Sequence, residues 1–330
     1  MEYVNNYADA RPIYFPVLGW TRIGKTIWMY SLLKRLKEIS GTLWPDFKVA
    51  SLDQNGKAKA LIDSVYKLEN QTEAPAGTSI SLNEHFSFLL KNMPRWKNRT
   101  LILKDLAGEP WSEGWFEKNW ETPIARQLVQ LLSNNTTAMM FFSIADLESG
   151  DRDFHSMEQL LESYRTVLQK NGVDIAGQHR RILVVLTQAG RLTNLDENVR
   201  EYLNEDPISV GLNPDHFPHI DHSHNRFDDA GMAEYFQRMK LLSQHLRGWI
   251  ANAKGRYGGP QFLSTAKDLN ISLEFCVTSC FSKTVRRAGE SFNTSGEQNT
   301  ERIGDVWHRE RVLDPLFWAL EMQSARRSSK

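Results

Sequence analysis

At 330 residues, 41% of them hydrophobic and 11% aromatic, the chain can fill one enlarged α/β domain or two ordinary ones. Lysines plus arginines number 40 and aspartates plus glutamates 40, so the formal charge is zero and no basic surplus points to nucleic acid. No apolar run reaches membrane-spanning length, Met1 to Arg11 holds no secretory apolar core, and Cys276 and Cys280 read as buried free thiols; together these predict a cytoplasmic protein.

Short β-rich runs alternate with longer helical patterns, the outline of a mainly parallel sheet wrapped by helices. The first strand is predicted at Ile13–Leu18 and a helix at Thr26–Ile39. Between them Gly19-Trp20-Thr21-Arg22-Ile23-Gly24-Lys25-Thr26 fits G-x-x-x-x-G-K-[ST] at every fixed position. Glycines in such a turn let main-chain N–H groups close around phosphate oxygens, and the helix N-terminus adds partial positive charge. Lys25 then reaches the β/γ-phosphates and Thr26 ligates Mg²⁺.

Strands follow at Phe47–Leu52, around Ser79–Leu90 and at Thr100–Leu106. The polar loop Glu73-Ala74-Pro75-Ala76-Gly77-Thr78-Ser79 carries a threonine suited to a first switch, Thr78, with Thr72 as the competing choice. The third of these strands ends in Asp105-Leu106-Ala107-Gly108-Glu109, about 80 residues after Lys25. In this D-x-x-G arrangement the carboxylate holds Mg²⁺ and the Gly108 amide bonds the γ-phosphate. A helix is predicted at Phe116–Ser133, and Trp111, Trp115, Phe116 and Trp120 form either a face that reads nucleotide state or core packing beneath it.

Further strands are expected at Ala138–Ile144, Arg181–Thr187 and Ser272–Thr278, and helices at Ser156–Asn171, Glu197–Asn204, Ala230–Ala253 and Pro315–Ala325. Residues 205–230 read as an insertion loop. There His216, His219, His222 and His224, with Asp215 and Asp221, form either a metal site or simply a polar loop. Residues 288–300, rich in Gly, Ser, Asn and Thr, read as a mobile loop. No linker separates two cores, so residues 1–330 are taken as one unit. No G-x-S-x-G elbow supports a hydrolase of the serine class.

The phosphate loop, Thr78 and the Asp105–Gly108 run resemble the first three motifs of the translation-factor and Ras-like branch of P-loop GTPases. Pro75-Ala76-Gly77-Thr78 and the tail Arg311-Val312-Leu313-Asp314-Pro315-Leu316-Phe317-Trp318 resemble the prokaryotic double-GTPase domains of conflict and phage-defence systems. The resemblance implies a three-layer, G-protein-like P-loop fold with helical insertions in the C-terminal half. It also implies a GTP/GDP ligand with Mg²⁺, and other protein subunits of a defence-type complex as partners; an oligomer is compatible with it. On this reading Gly19, Trp20, Thr21, Arg22, Ile23, Gly24, Lys25, Thr26, Ile27 and Gly108 surround the phosphates. Thr26, Thr78 and Asp105 hold the ion. Lys25, Thr78 and Glu109 act on the γ-phosphate, and Thr187, Gln188 and Ser279 lie beside the base.

Two departures stand out. GTPases select guanine with [NT]-K-x-D after the fifth core strand, whereas this chain has Thr187-Gln188-Ala189-Gly190, without the lysine and without the carboxylate. Losing that charged acceptor weakens base discrimination; another acidic residue, such as Asp196 or Glu197, could substitute for it, and ATP/ADP stays open as a ligand. The position after D-x-x-G, where many G proteins carry glutamine, holds Glu109, which implies slow intrinsic hydrolysis that a partner's arginine raises. Arg22 and Arg99 are the internal alternatives to such a finger, each also readable as an ordinary surface arginine.

Overall fold

The computed structural model describes residues 10–14, 16–20, 23–52, 63, 67, 70, 73–74, 86–103, 108–111, 114–149, 157–175, 177–191, 196–212, 229–252, 258–280, 286–287 and 309–324. Its strands are β1 (Arg11–Tyr14), β2 (Val17–Leu18), β3 (Lys48–Ser51), β4 (Glu73–Ala74), β5 (Phe86–Met93), β6 (Lys97–Leu103), β7 (Thr137–Ser143), β8 (Arg180–Thr187), β9 (Ile271–Val277) and β10 (Arg286–Arg287). The helices are α1 (Lys25–Ile39), α2 (Trp115–Asn119), α3 (Pro123–Asn134), α4 (Ile144–Ser149), α5 (Met157–Lys170), α6 (Glu197–Asn204), α7 (Pro207–Leu212), α8 (Asp229–Asn252), α9 (Gly259–Asp268) and α10 (Asp314–Ser324).

Two four-stranded sheets share one run of chain. One has the order β1-β6-β5-β3, the other β2-β7-β8-β9 and is parallel throughout. β1 and β2 lie two residues apart: β1 pairs with β6 on one side, while β2, helped by a bond from the Met139 amide to the Pro16 carbonyl, pairs with β7. The chain therefore reverses its direction of travel across the sheet at β1–β2. That is the topological switch point, where α/β sheets open a crevice beyond the carboxyl ends of their strands.

β7 is buried at all seven positions and β8 at all but Arg181, the signature of parallel strands covered on both faces. The outer strand of this sheet, β9, is closed off by α8: Ser243 Oγ accepts from the Phe275 amide at 2.9 Å, and Arg247 donates to the Leu273 carbonyl. Two edge groups that would otherwise be open to another strand are thereby engaged.

Along α1, Leu32, Leu33, Leu36 and Ile39 recur at helical spacing and all are buried. The helix predicted at Phe116–Ser133 is two helices. Thr122 has extended backbone and its hydroxyl accepts from the Ala125 amide at 3.2 Å, capping α3, whose first residue is Pro123; α2 has ended by then. One hydrophobic cluster runs from Ile13 to Met322, so the described residues build a single core. Within 205–230, Pro207–Leu212 forms α7 with Ile208 and Val210 buried, rather than starting a loop; residues 213–228, with the histidine cluster, lie outside the described residues. Both cysteines are free and buried, as the sequence predicts.

Candidate nucleotide site

The turn from β2 into α1 sits at the switch point. Gly19 has φ 146° and Gly24 φ 91°, conformations that side-chain-bearing residues rarely adopt. A Cβ added to Gly19 would collide with Ile23 Cδ1 and lie 2.8 Å from the Phe141 carbonyl oxygen, so the loop closes only with glycine here. Gly24 caps α1, its carbonyl accepting from the Trp28 amide at 2.9 Å. Lys25, 6% exposed, turns back over the loop and donates from Nζ to the carbonyls of Gly19 (2.8 Å) and Trp20 (2.7 Å). The ammonium is thus fixed over the Gly19 and Trp20 carbonyls at a helix N-terminus, an arrangement suited to phosphate oxygens. Thr26 and Ile27 follow on the first turn, half-buried; Thr21 and Arg22 lie outside the described residues.

The other motif loops leave the same edge of the sheet. Register pairs Ser143 with Thr187 and Leu186 with Val277, so the turns after β7, β8 and β9 emerge side by side. Thr187 is buried, and its hydroxyl bonds the Ile23 carbonyl within the phosphate loop and lies 3.1 Å from the Phe142 carbonyl. It braces the loop. Gln188 takes a left-handed φ of 61°, its Cγ 4.0 Å from where a Gly24 Cβ would sit, and its Oε1 accepts from Ser143 Oγ at 3.3 Å. The residue in the lysine position of the base motif therefore lies against the second loop glycine. Ser279 is buried; its Oγ accepts from the Gly190 amide at 3.2 Å, joining the turn after β8 to the turn after β9.

Asp196, one of the two acids that could substitute for the missing base carboxylate, already has partners. Its Oδ1 caps α6 by accepting from the Asn198 and Val199 amides, and it meets His245 Nε2 at 2.9 Å. Burial works against its charge, but His245 and the capping donors outweigh it and hold the carboxyl below its ordinary range. Glu197 is exposed on the first turn of α6.

Of the second and third motifs, Thr78 and Asp105 lie outside the described residues, as does Thr72. Gly108 is buried and its carbonyl accepts from the Trp111 amide at 3.1 Å; Glu109 opens a one-turn 3₁₀ helix, Glu109–Trp111. In the aromatic group, Trp111 and Phe116 are buried with ring centroids 6.0 Å apart, while Trp115 and Trp120 are half-buried around Phe116 at 5.0 and 6.2 Å. Packing accounts for the first two. A groove of about 420 Å³ lined by Trp120, Arg126, Val129, Gln130, Asn134 and Asn171 lies near the amino ends of β7 and β8, away from the phosphate loop.

A buried charged cluster, none of it among the sequence-predicted site residues, adjoins the Glu310–Ser279 pairing. Arg311, 1% exposed, donates from Nε to the Tyr202 carbonyl (2.7 Å) and from Nη2 to the Glu205 carbonyl (3.1 Å), and its guanidinium stacks 3.6 Å from the Tyr202 ring centroid. Asp314 accepts from the Tyr202 and Tyr235 hydroxyls, both at 2.5 Å. Asp206 accepts from Ser209 and from the Arg311 amide. The clue was present in the sequence: Arg311 and Asp314 interrupt a tail that is otherwise apolar.

Burial, reinforced by Asp206, pushes the Glu310 carboxyl up to about 7 despite Arg35 and Arg311; burial likewise raises Asp314 to about 6 against the pull of Arg311 and the two tyrosines. Both acids hold their protons more tightly folded than unfolded. Their contribution to stability is therefore full below about pH 4 and is lost as pH rises through 6 to 7. Glu310→Gln, which stays neutral, is expected to gain stability relative to the parent between pH 4.5 and 7.5, read from urea melts at the two values. A gap that does not change with pH would remove Glu310 from this role.

A glycine turn at the switch point of a parallel sheet, bearing a lysine folded over its carbonyls, is the arrangement with which α/β proteins of the P-loop class meet phosphate. The chain belongs to the Double-GTPase 1 family, whose model matches residues 16–187, just over half its length. The family implies a P-loop fold and a guanine nucleotide as ligand. Comparison with curated proteins and with solved structures returns no match. Among the described residues, no helix is long and apolar enough to cross a membrane.

Proposed function

We propose that this protein is a Mg²⁺-dependent GTP-binding switch subunit of a bacterial multi-protein defence system, acting in the cytoplasm and hydrolysing its nucleotide slowly or on stimulation by a partner. The observation that carries the nucleotide reading is the Lys25 ammonium held over the Gly19 and Trp20 carbonyls at the head of α1. On this reading residues 1–330 form one enlarged three-layer unit, with helical insertions in its C-terminal half. Gly19 to Ile27 and Gly108 take the phosphates, and Thr26, Thr78 and Asp105 hold Mg²⁺, which neutralises phosphate charge when bound. Thr78 and Gly108 sense the γ-phosphate, and its loss releases their loops. Glu109 orients water while repelling the γ-phosphate, hence slow turnover. Gln188 and the Ser279 turn border the base. The defence role and the protein partners rest on the resemblance of the Pro75–Thr78 and Arg311–Trp318 runs alone.

A second reading, a subunit that binds nucleotide without hydrolysing it, is favoured by Glu109 and by the absence of a base-reading carboxylate at Gly190. Calorimetry with GDP, GTP, ADP and ATP, followed by single-turnover assays with radiolabelled nucleotide, separates the two. Tight GTP binding with slow release of phosphate is the expected result. Nucleotide retained intact would favour the non-hydrolysing subunit, and no binding of any of the four would sink both readings.

A further inference from the structure

Beyond the family-matched span, residues 309–314 make three separate attachments to elements of the nucleotide site. Glu310 and Ser279 exchange main-chain hydrogen bonds, at 2.9 Å from the Glu310 amide and 3.2 Å from the Ser279 amide. Trp28, three residues past Lys25 on α1, donates from Nε1 to the Val312 carbonyl at 3.1 Å. Arg35, further along α1, donates to the Arg309 carbonyl and to Ser209. Ser279 in turn accepts from the Gly190 amide, and Thr187 at the start of that turn bonds Ile23 in the phosphate loop. A continuous path of hydrogen bonds and short turns thus leads from the tail to the loops that border the base.

The tail is held in this place at a local cost. Arg311 has a left-handed φ of 55°, a conformation worth roughly 1–2 kcal/mol of strain in a residue with a side chain. The turn at Arg311 lets Glu310 lie along Ser279 while Asp314 begins α10, and the buried cluster of Arg311, Asp314, Tyr202, Tyr235 and Asp206 holds it. Strain maintained by dense surrounding contacts next to a binding site points from geometry to function.

We propose that the segment Arg309–Asp314 is a positioning element of the nucleotide site: by pairing with Ser279 it fixes the turns after β8 and β9 and so sets how the nucleoside end of the ligand is held, leaving phosphate capture to the glycine loop. This rests on the reading of the site as a nucleotide site. The tail acts through Ser279 and Gly190.

The test uses the full chain and two ligands, GTP and inorganic tripolyphosphate, which shares the phosphates and lacks the nucleoside. Glu310→Pro removes the amide that bonds Ser279, and Ser279→Ala removes the acceptor of the Gly190 amide. Each is expected to weaken GTP binding by about tenfold, the net worth of one hydrogen bond, while tripolyphosphate affinity stays within about twofold. Ser279→Thr, which keeps the hydroxyl, is expected to restore GTP affinity. Equal loss for both ligands, or a lowered melting temperature with unchanged GTP affinity, would overturn the positioning role. An unaltered chain that binds neither ligand would instead overturn the nucleotide reading beneath it.

Discussion

Lys25→Ala is expected to lower affinity for GTP by about 100-fold or more, measured by calorimetry in the presence of Mg²⁺. An ammonium contributes charge-assisted bonds of about 1.5–3 kcal/mol each, and two such bonds to phosphate oxygens exceed the factor named. Lys25 also satisfies the carbonyls of Gly19 and Trp20, and it is only 6% exposed. Its removal leaves those oxygens without that donor, so the unfolding free energy should fall as well, by about 1–3 kcal/mol. The two readouts separate: a variant with a lower melting point but unchanged GTP affinity would show that Lys25 serves only its own loop. Lys25→Arg should not rescue binding, because the wider guanidinium does not fit a loop closed this tightly on Ile23 and Phe141.

Arg311→Ala should destabilise the fold by about 3–5 kcal/mol in urea at pH 7.5, because it strips a buried cluster of its cation. The carbonyls of Tyr202 and Glu205 lose donors, and the Asp314 and Asp206 carboxyls lose a fully buried positive charge that they interact with. Burial opposes the charge on Arg311, but Tyr202, Tyr235, Asp314 and Asp206 outweigh it and keep the guanidinium protonated at every ordinary pH. Arg311→Gly carries the same electrostatic loss but relieves the left-handed backbone, and should be about 1 kcal/mol less damaging than alanine. If the two variants unfold alike, the backbone at this position is not strained. If neither moves stability by more than about 1 kcal/mol, the cluster is not what anchors the tail.

Local chemistry carried the site's core in the sequence, and long-range pairing hid its surroundings. Glycines at 19 and 24, the lysine after them and the apolar run before them act within a few residues, so the phosphate loop was legible at once. The runs at 137–143 and 180–187 announce buried parallel strands because almost every position is apolar. The hairpin β5–β6 was harder. Its turn places Asn92, Arg95 and Lys97 in left-handed conformations without the Asn-Gly or Gly-Gly pair that signals such a turn, and strand limits were misread accordingly. The helix α9 opens on Gly258-Gly259-Pro260, which reads as loop punctuation, although Gly258 serves as its N-cap and proline is tolerated in a first turn. The charged cluster joins residues 202, 206, 235, 311 and 314, and no window of sequence reveals such a pairing.

The arrangement of α8 against β9 bears on how the molecule meets others. Along the described part of that flank, the amide of Phe275 and the carbonyl of Leu273 are already committed to Ser243 and Arg247. A neighbouring molecule that stitched its own backbone onto Leu273–Phe275 would first have to displace these two bonds. A larger particle that grows from this stretch is therefore joined more readily by complementary side-chain surfaces than by extending the sheet from one subunit into the next.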